Sequence, residues 1–264
     1  MSEYYENPLC TRYASDEMKR IFSPDEKYSD WRRLWIALAE SEKELGLEIT
    51  DEQINEMKAH VDDIDYERVA VYEGQIRHDV MAHLKAYCDL CPTAKPIIHL
   101  GATSCFVGDN TDVIVMKKGL LRVRTLLLNC IDALAAFADK YKDVATLAYT
   151  HFQAAQPTTV GKRATLWLQD LLFDLENLDY RIENLKLLGC KGTTGTAASF
   201  LTLFNGDENK VRKLEAKIAE KCGFSACYAV SGQTYSRKID YFVLSVLSGI
   251  AQSAAKFSSD IRLL

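Results

Sequence analysis

Apolar side chains recur at intervals of three and four along most of this chain, and that spacing predicts helices almost throughout. Over Asp30–Leu45, the residues Trp31, Leu34, Trp35, Leu38 and Leu45 share one helical face, and Gly46 supplies a C-terminal stop. Thr50-Asp51-Glu52-Gln53 has the form of a capping box ahead of Ile54 and Met57. A third helix is predicted from Tyr66 through Ala86, ending near a Cys88–Pro92 turn. Residues 92–109 hold Pro92, Pro96, Gly101 and Gly108 and read as a loop. Asn110-Thr111-Asp112 then caps a long helix on which Val113, Met116, Leu120, Val123, Leu127, Ile131, Leu134, Phe137 and Tyr141 keep phase.

A polar turn follows at Thr150–Gln156, and Pro157 sits where helices start. Val160, Ala164, Trp167, Leu171, Leu175, Leu178, Ile182 and Leu185 carry the next helix toward Gly189, about 30 residues or roughly 45 Å at the usual rise. Gly189–Gly206 is irregular, 207–222 is a shorter charged helix, and Tyr228–Ser236 is a third loop. The last helix begins at Arg237, with Ile239, Phe242, Val246, Ile250, Ala254, Phe257, Ile261 and Leu264 in phase. Its pattern reaches Leu264 with no Gly, Asn or Pro stop, so the sequence is expected to break off inside a helix. The fold class expected is all-α: a small N-terminal helical domain over 1–103 and a long-helix bundle over 104–264, incomplete at its C-terminus. Long apolar faces of this kind call for partners on several sides, hence a homo-oligomer.

Composition narrows the function. A length of 264 residues allows one or two domains, and 48% hydrophobic with 26% charged residues is ordinary for a soluble chain with a core. A net charge of -5 without a long basic block argues against nucleic-acid binding. No apolar run is long enough for a membrane span, and the polar stretch Met1–Cys10 shows no signal peptide. The eight cysteines are scattered, and the CxxC pair Cys88/Cys91 has no second pair to complete a zinc ribbon. Reduced thiols in a cytoplasmic protein, with no metal and no cofactor, are expected.

Six polar stretches remain as candidates. Arg12-Tyr13 lies in an otherwise bland segment and by itself reads as a surface pair. Arg77-His78-Asp79-Val80-Met81-Ala82-His83 falls on the third predicted helix, where adjacent charges point to different faces; His78 and His83 lack the i, i+4 spacing of a zinc pair. Gly101-Ala102-Thr103-Ser104 opens toward Gly108-Asp109-Asn110 and also suits an ordinary helix entry. Lys191-Gly192-Thr193-Thr194-Gly195-Thr196 invites a phosphate-loop reading but fails its spacing. Ser231-Gly232-Gln233-Thr234-Tyr235-Ser236-Arg237 is the last of the loops. Thr150-His151-Phe152-Gln153 concentrates a histidine among hydrogen-bonding side chains just ahead of a helix, where histidine suits proton exchange near neutral pH. No nucleophile elbow, Ser–His–Asp order or dinucleotide fingerprint is present. The patterns by themselves describe a helical, oligomeric chain with a polar site for a small anion.

The combination of Arg77–His83, Ile98-His99-Leu100-Gly101-Ala102-Thr103-Ser104, Gly108-Asp109-Asn110-Thr111-Asp112 and Thr150-His151-Phe152-Gln153, extended by Lys191–Thr196 and Ser231–Arg237, resembles the adenylosuccinate lyases, most closely those of animal type, in the fumarase/aspartase superfamily of helical homotetramers. The resemblance runs from about Arg12 to Leu264. It implies β-elimination: a base removes a proton beside a carboxylate, an acid protonates the leaving nitrogen, and fumarate departs. The implied substrates are adenylosuccinate, giving AMP, and the succinyl-carboxamide ribotide of purine synthesis. By the same resemblance His151 is the acid, Thr103 and Ser104 hydrogen-bond the succinyl carboxylates, and Thr150 and Gln233 hold the same portion. Arg12, Tyr13, Arg77, His78 and Asp79 would bind the nucleotide and its phosphate, which needs charge-assisted bonds. The division of proton transfer between His78 and His151 stays open. Sites in that superfamily are shared between subunits, which accounts for separated clusters with no local triad.

Two departures stand out. Ala154 occupies a position where the family usually has proline, loosening the turn. The family's base is a serine on a flexible signature loop, and no such signature occurs in these 264 residues, so the chain as given is expected to be inactive by itself. The alternatives are a non-catalytic helical oligomerisation fragment, or a superfamily lyase acting on a different fumarate adduct.

Overall fold

A computed structural model describes residues 6–264; Met1–Tyr5, half of the polar N-terminal stretch, lie outside the described residues. Leu9–Tyr13 form one π-helical turn that ends on Arg12 and Tyr13. Helices α1 (Asp16–Ile21) and α2 (Pro24–Glu44) start on Ser15 and Ser23, whose hydroxyls accept the backbone N–H of Met18 and Glu26. α2 thus begins at Pro24 rather than Asp30, with proline in the first turn, where its missing N–H leaves no bond unmade. The expected face of α2 is buried, and Gly46 turns the chain at a φ of 97°. Helix α3 (Asp51–Ala59) has the expected capping box: Thr50 and Gln53 satisfy each other's backbone N–H.

The third predicted helix is two. α4 (Tyr66–Ile76) stops where Arg77 adopts a left-handed conformation (φ 52°), and α5 (Asp79–Leu90) restarts with His78 as its N-cap. The next prediction also shifts. Helix α6 (Ser104–Lys140) starts at Ser104, so Gly108 and the supposed cap Asn110 lie inside it. Asn110 is fully buried, and its carboxamide reaches the Gly189 backbone instead of an N-terminal N–H.

The polar turn at 150–156 does not lead straight into a helix. Strands β1 (Ala145–Thr150) and β2 (Gln153–Thr159) form an antiparallel hairpin that pairs Thr150 with Gln153 and Leu147 with Pro157. Pro157 therefore sits in a strand, which a two-stranded sheet tolerates because both strands are edges. Helix α7 (Val160–Asn184) begins after it, followed by α8 (Ala198–Leu203), α9 (Glu208–Lys221) and α10 (Lys238–Leu263). The all-α class holds, with this hairpin its one sheet among the described residues. No described helix is long and apolar enough to cross a membrane.

Two compact units divide the chain, and the division falls inside α6: Met1–Lys118 with Leu185–Ser236, and Gly119–Asn184 with Arg237–Leu264. The first unit has the denser core. Trp35 stacks on Tyr87 at 5.9 Å, and the buried Arg32 guanidinium donates to the carbonyls of His60 and Asp63. The second unit pairs α7 with α10. Trp167 packs edge-on against Phe257 at 5.1 Å and donates its indole N–H to Asp260 at 2.8 Å.

Glu42 is an unusual member of the first core. It is fully buried on α2, and neither carboxylate oxygen has a hydrogen-bond partner. Burial pushes its pKa up to about 9, because no neighbour compensates the charge. The folded state therefore holds one more proton than the unfolded state between the unfolded carboxyl range and pH 9, so rising pH lowers stability across that window. Glu42→Gln is expected to remove this slope. Its stability relative to wild type should grow by about 2–3 kcal/mol between pH 5 and pH 7, read from urea unfolding at both pH values. Parallel pH dependences in the two proteins would rule the charge penalty out.

Candidate active site

In the first unit the polar stretches other than Arg12-Tyr13 are linked around the N-terminal part of α6. The left-handed Arg77 ends α4 so that Arg77, His78 and Asp79 occupy an exposed helix junction, not three faces of one helix. His78 Nδ1 accepts the backbone N–H of Met81 at 3.4 Å. A backbone N–H can only donate, so the neutral ring carries its proton on Nε2, which faces Ser104 Oγ at 3.1 Å. In that tautomer Ser104 Oγ accepts the hydrogen bond, and its own O–H is left to donate elsewhere. Asp79 Oδ1 lies 3.7 Å from Nδ1, beyond hydrogen-bonding range.

Thr103 precedes the first turn of α6, and its hydroxyl donates to the Lys191 carbonyl at 3.3 Å. That bond joins the α6 entry to the loop 191–196. The loop closes on itself, with Gly192 N–H donating to the Thr196 carbonyl at 2.6 Å. Gly195, at a φ of 78°, lies so close to Ser231 and Gly232 that a Cβ would overlap their backbone. The two loops read separately in the sequence are therefore packed together. Two buried side chains on α6 hold both. Asp109 accepts the Tyr235 N–H at 3.1 Å, while Asn110 accepts the Gly189 N–H at 3.0 Å and donates to the Gly189 carbonyl at 3.2 Å. Gln233 sits half-buried in the loop so fixed.

His99 belongs to this neighbourhood and had no role assigned from sequence. Its backbone is left-handed (φ 67°), and its Nδ1 accepts the Trp35 indole N–H at 2.8 Å. Burial, with a smaller contribution from nearby His78, lowers its pKa to about 4. At neutral pH it is an uncharged ring with its proton on Nε2, a fixed donor. The signal was its place in Ile98-His99-Leu100-Gly101; what hid it was the reading of that stretch as connecting loop.

Arg12 and Tyr13 are exposed on the π-helical turn, the guanidinium 5.6 Å from the ring centroid. Thr150 and His151 belong to the second unit. His151 and Phe152 form the two-residue link of the hairpin, both left-handed at φ 53° and 59°, the geometry of a type I′ turn. Neither is the usual Asn or Gly, and such backbone costs on the order of 1–3 kcal/mol per residue. The strain displays both side chains, Phe152 being 85% exposed.

The head of the 37-residue helix α6 brings together a hydroxyl and backbone N–H groups, with the His78 ring against Ser104, a set of groups that suits an anion. Among the described residues no group of three or more His, Cys, Asp or Glu is placed to hold a metal ion. The profile of a family described as lyase matches residues 13–264. The chain belongs to this lyase family.

Adenylosuccinate lyase of Schistosoma mansoni is 52% identical to this chain over 264 residues, covering 99% of the chain and 55% of the relative. The Saccharomyces cerevisiae adenylosuccinate lyase is 51% identical over 263 residues, 98% of the chain and 55% of the relative. The chain thus spans about half the length of the curated relatives it matches. Among solved structures, a 3-carboxy-cis,cis-muconate lactonizing enzyme from Pseudomonas putida superposes with a TM-score of 0.81 at 23% identity, covering 96% of this chain and 57% of that one. A fumarate lyase from Mesorhizobium gives 0.79 at 21% identity, with coverages of 95% and 57%. Likeness at that identity speaks to the fold alone.

His78 has two separable structural duties: capping α5 and holding Ser104. His78→Asn keeps a capping side chain and is expected to stay within about 0.5 kcal/mol of wild-type stability, whereas His78→Ala should lose about 1 kcal/mol. Thermal unfolding of the two variants checks this; equal stabilities would mean that the Met81 bond is no cap.

Proposed function

We propose that the protein works as an adenylosuccinate lyase, eliminating fumarate from adenylosuccinate and from the succinyl-carboxamide ribotide of purine synthesis. One observation carries the reading: in a chain half identical to enzymes of that name, His78 Nε2 donates to Ser104 Oγ at the head of α6. That bond frees the Ser104 O–H to donate to a succinyl carboxylate, supported by the positive end of the helix. Thr103 completes the cradle through its backbone N–H, its hydroxyl staying on the Lys191 carbonyl. Thr150 and Gln233 hold the same succinyl portion. Arg12, Tyr13, Arg77, His78 and Asp79 take the nucleotide and its phosphate, and His99 offers a further neutral donor beside them.

In this reading His151 is the general acid. It protonates the nitrogen as the C–N bond breaks, while a base on another segment removes the proton next to the departing carboxylate. The reaction is complete with side-chain acid–base chemistry, so no cofactor or metal is assigned a part. The assembly proposed is a homotetramer with shared sites, in the cytoplasm, with a small nucleotide as its only ligand. Supporting it, the second unit leaves Leu126 and Phe137 exposed on an apolar groove of about 570 Å³, and Phe173 and Leu244 exposed as well.

In the complete gene product, His151→Ala should lower turnover of adenylosuccinate at least about a hundredfold, the range of general acid catalysis, with helicity unchanged by circular dichroism. A variant within a few-fold of wild type would remove His151 from the acid role. Release of fumarate from argininosuccinate in preference to adenylosuccinate would point instead to another superfamily lyase. Assembly without turnover of either would point to an oligomerisation module.

A further inference from the structure

Glu215 lies on α9, outside every polar stretch that the function uses, yet its carboxylate is bonded to the loop of the site. Its Oε1 accepts from Lys191 Nζ at 2.5 Å and from the Cys190 backbone N–H at 3.2 Å. Lys191 is buried, its side chain only 9% exposed, so this carboxylate neutralises an ammonium that has left water. Gly189 gives a separate sign that the approach is built in. A Cβ on Gly189 would stand 2.7 Å from Glu215 Oε1, so a side chain there would push the carboxylate away from the base of the loop, and the backbone itself, at a φ of 88°, favours glycine. From Lys191 the connection goes on: its carbonyl accepts the Thr103 hydroxyl at 3.3 Å, at the entry to α6.

We propose that Glu215 is a positioning residue for the carboxylate cradle, fixing loop 191–196 through Lys191 and Cys190 and, through the Lys191 carbonyl, the placement of Thr103 beside Ser104. Glu215 does not touch the substrate. It holds one end of a three-link chain, carboxylate to ammonium and amide, loop to hydroxyl, hydroxyl to helix entry. The proposal rests on the adenylosuccinate reading for its kinetic consequence but not for the clamp itself.

Glu215→Gln in the complete gene product keeps an acceptor for Cys190 and removes the charge that Lys191 faces. It should raise KM for adenylosuccinate about tenfold and leave kcat within about threefold, because the cradle holds the carboxylate equally in ground and transition states. Thr103→Val cuts the chain at its last link. In that background Glu215→Gln should add less than about twofold to KM, since residues acting in series are not additive. Hydrogen exchange gives a reading independent of substrate: amides of Gly192–Thr196 should exchange faster in Glu215→Gln, with those of α2 unchanged. Lower thermal stability with KM unchanged, or full additivity with Thr103→Val, would reduce Glu215 to a structural ion pair and overturn the proposal. Unchanged exchange in the loop would overturn the clamp even if the enzyme proved to act on another substrate. Absence of adenylosuccinate turnover in the wild type, with faster loop exchange in the variant, would sink the functional reading and leave the clamp standing.

Discussion

Asp109 and Asn110, buried side by side in the second turn of α6, are the constraint on which the first unit's site depends. Leaving a buried polar group unpaired costs about 1–3 kcal/mol, so each must find a partner, and each finds it on a different loop. Asn110 behaves like a strand neighbour to Gly189, giving and receiving one backbone bond. Asp109 takes the N–H of Tyr235. Two segments separated in sequence are thereby tied to adjacent positions on one rigid helix, and the residues between them, Lys191 and Gln233 included, inherit that placement. The arrangement is a common one for functional loops: variable backbone on a scaffold that cannot shift.

The same pair explains where sequence reasoning went astray. Asn110-Thr111-Asp112 has the composition of a helix cap, and capping is the commonest use of those side chains near a helix start. Their burial is a tertiary fact, invisible to local pattern. The break at Arg77 was hidden for a similar reason, since it carries neither glycine nor proline and is imposed by how α4 and α5 pack, with Val69, Ala82 and Ala86 in one small cluster. Where local chemistry decides the outcome, the reading held. The Thr50–Gln53 box, the Gly46 stop and the apolar face of α2 all follow from rules that act within a few residues.

The hairpin was the least legible element, and its burial pattern says why. In β1 the larger apolar residues Leu147 and Tyr149 are exposed, while Thr146 and Ala148 are half-buried. A strand normally announces itself by turning its large apolar positions toward a core. This one turns them outward, and its turn lacks the Asn-Gly or Asp-Gly dipeptide that identifies a type I′ link. Both anomalies fall on the segment that carries His151. A left-handed, non-glycine backbone and an apolar face turned to solvent are expensive in isolation, and sequences keep such features where something other than stability is served.

His151 itself sharpens that point. A proton-transferring histidine ordinarily has a second group that fixes its tautomer and aims its ring, as Met81 does for His78 and Trp35 for His99. Among the described residues His151 has no such hydrogen bond. Its direction is set by the backbone of the turn alone, so the ring is delivered to a place without being oriented there. If it acts as the proposed acid, the orienting group must arrive with the substrate or with another polypeptide segment. The exposed Phe152 and Tyr149 beside it then acquire a physical purpose as the apolar contact that seats the hairpin tip against whatever brings that group. An acid left unoriented until its site is assembled protonates nothing prematurely, which is consistent with active sites shared between subunits and with the exposed apolar faces of the second unit.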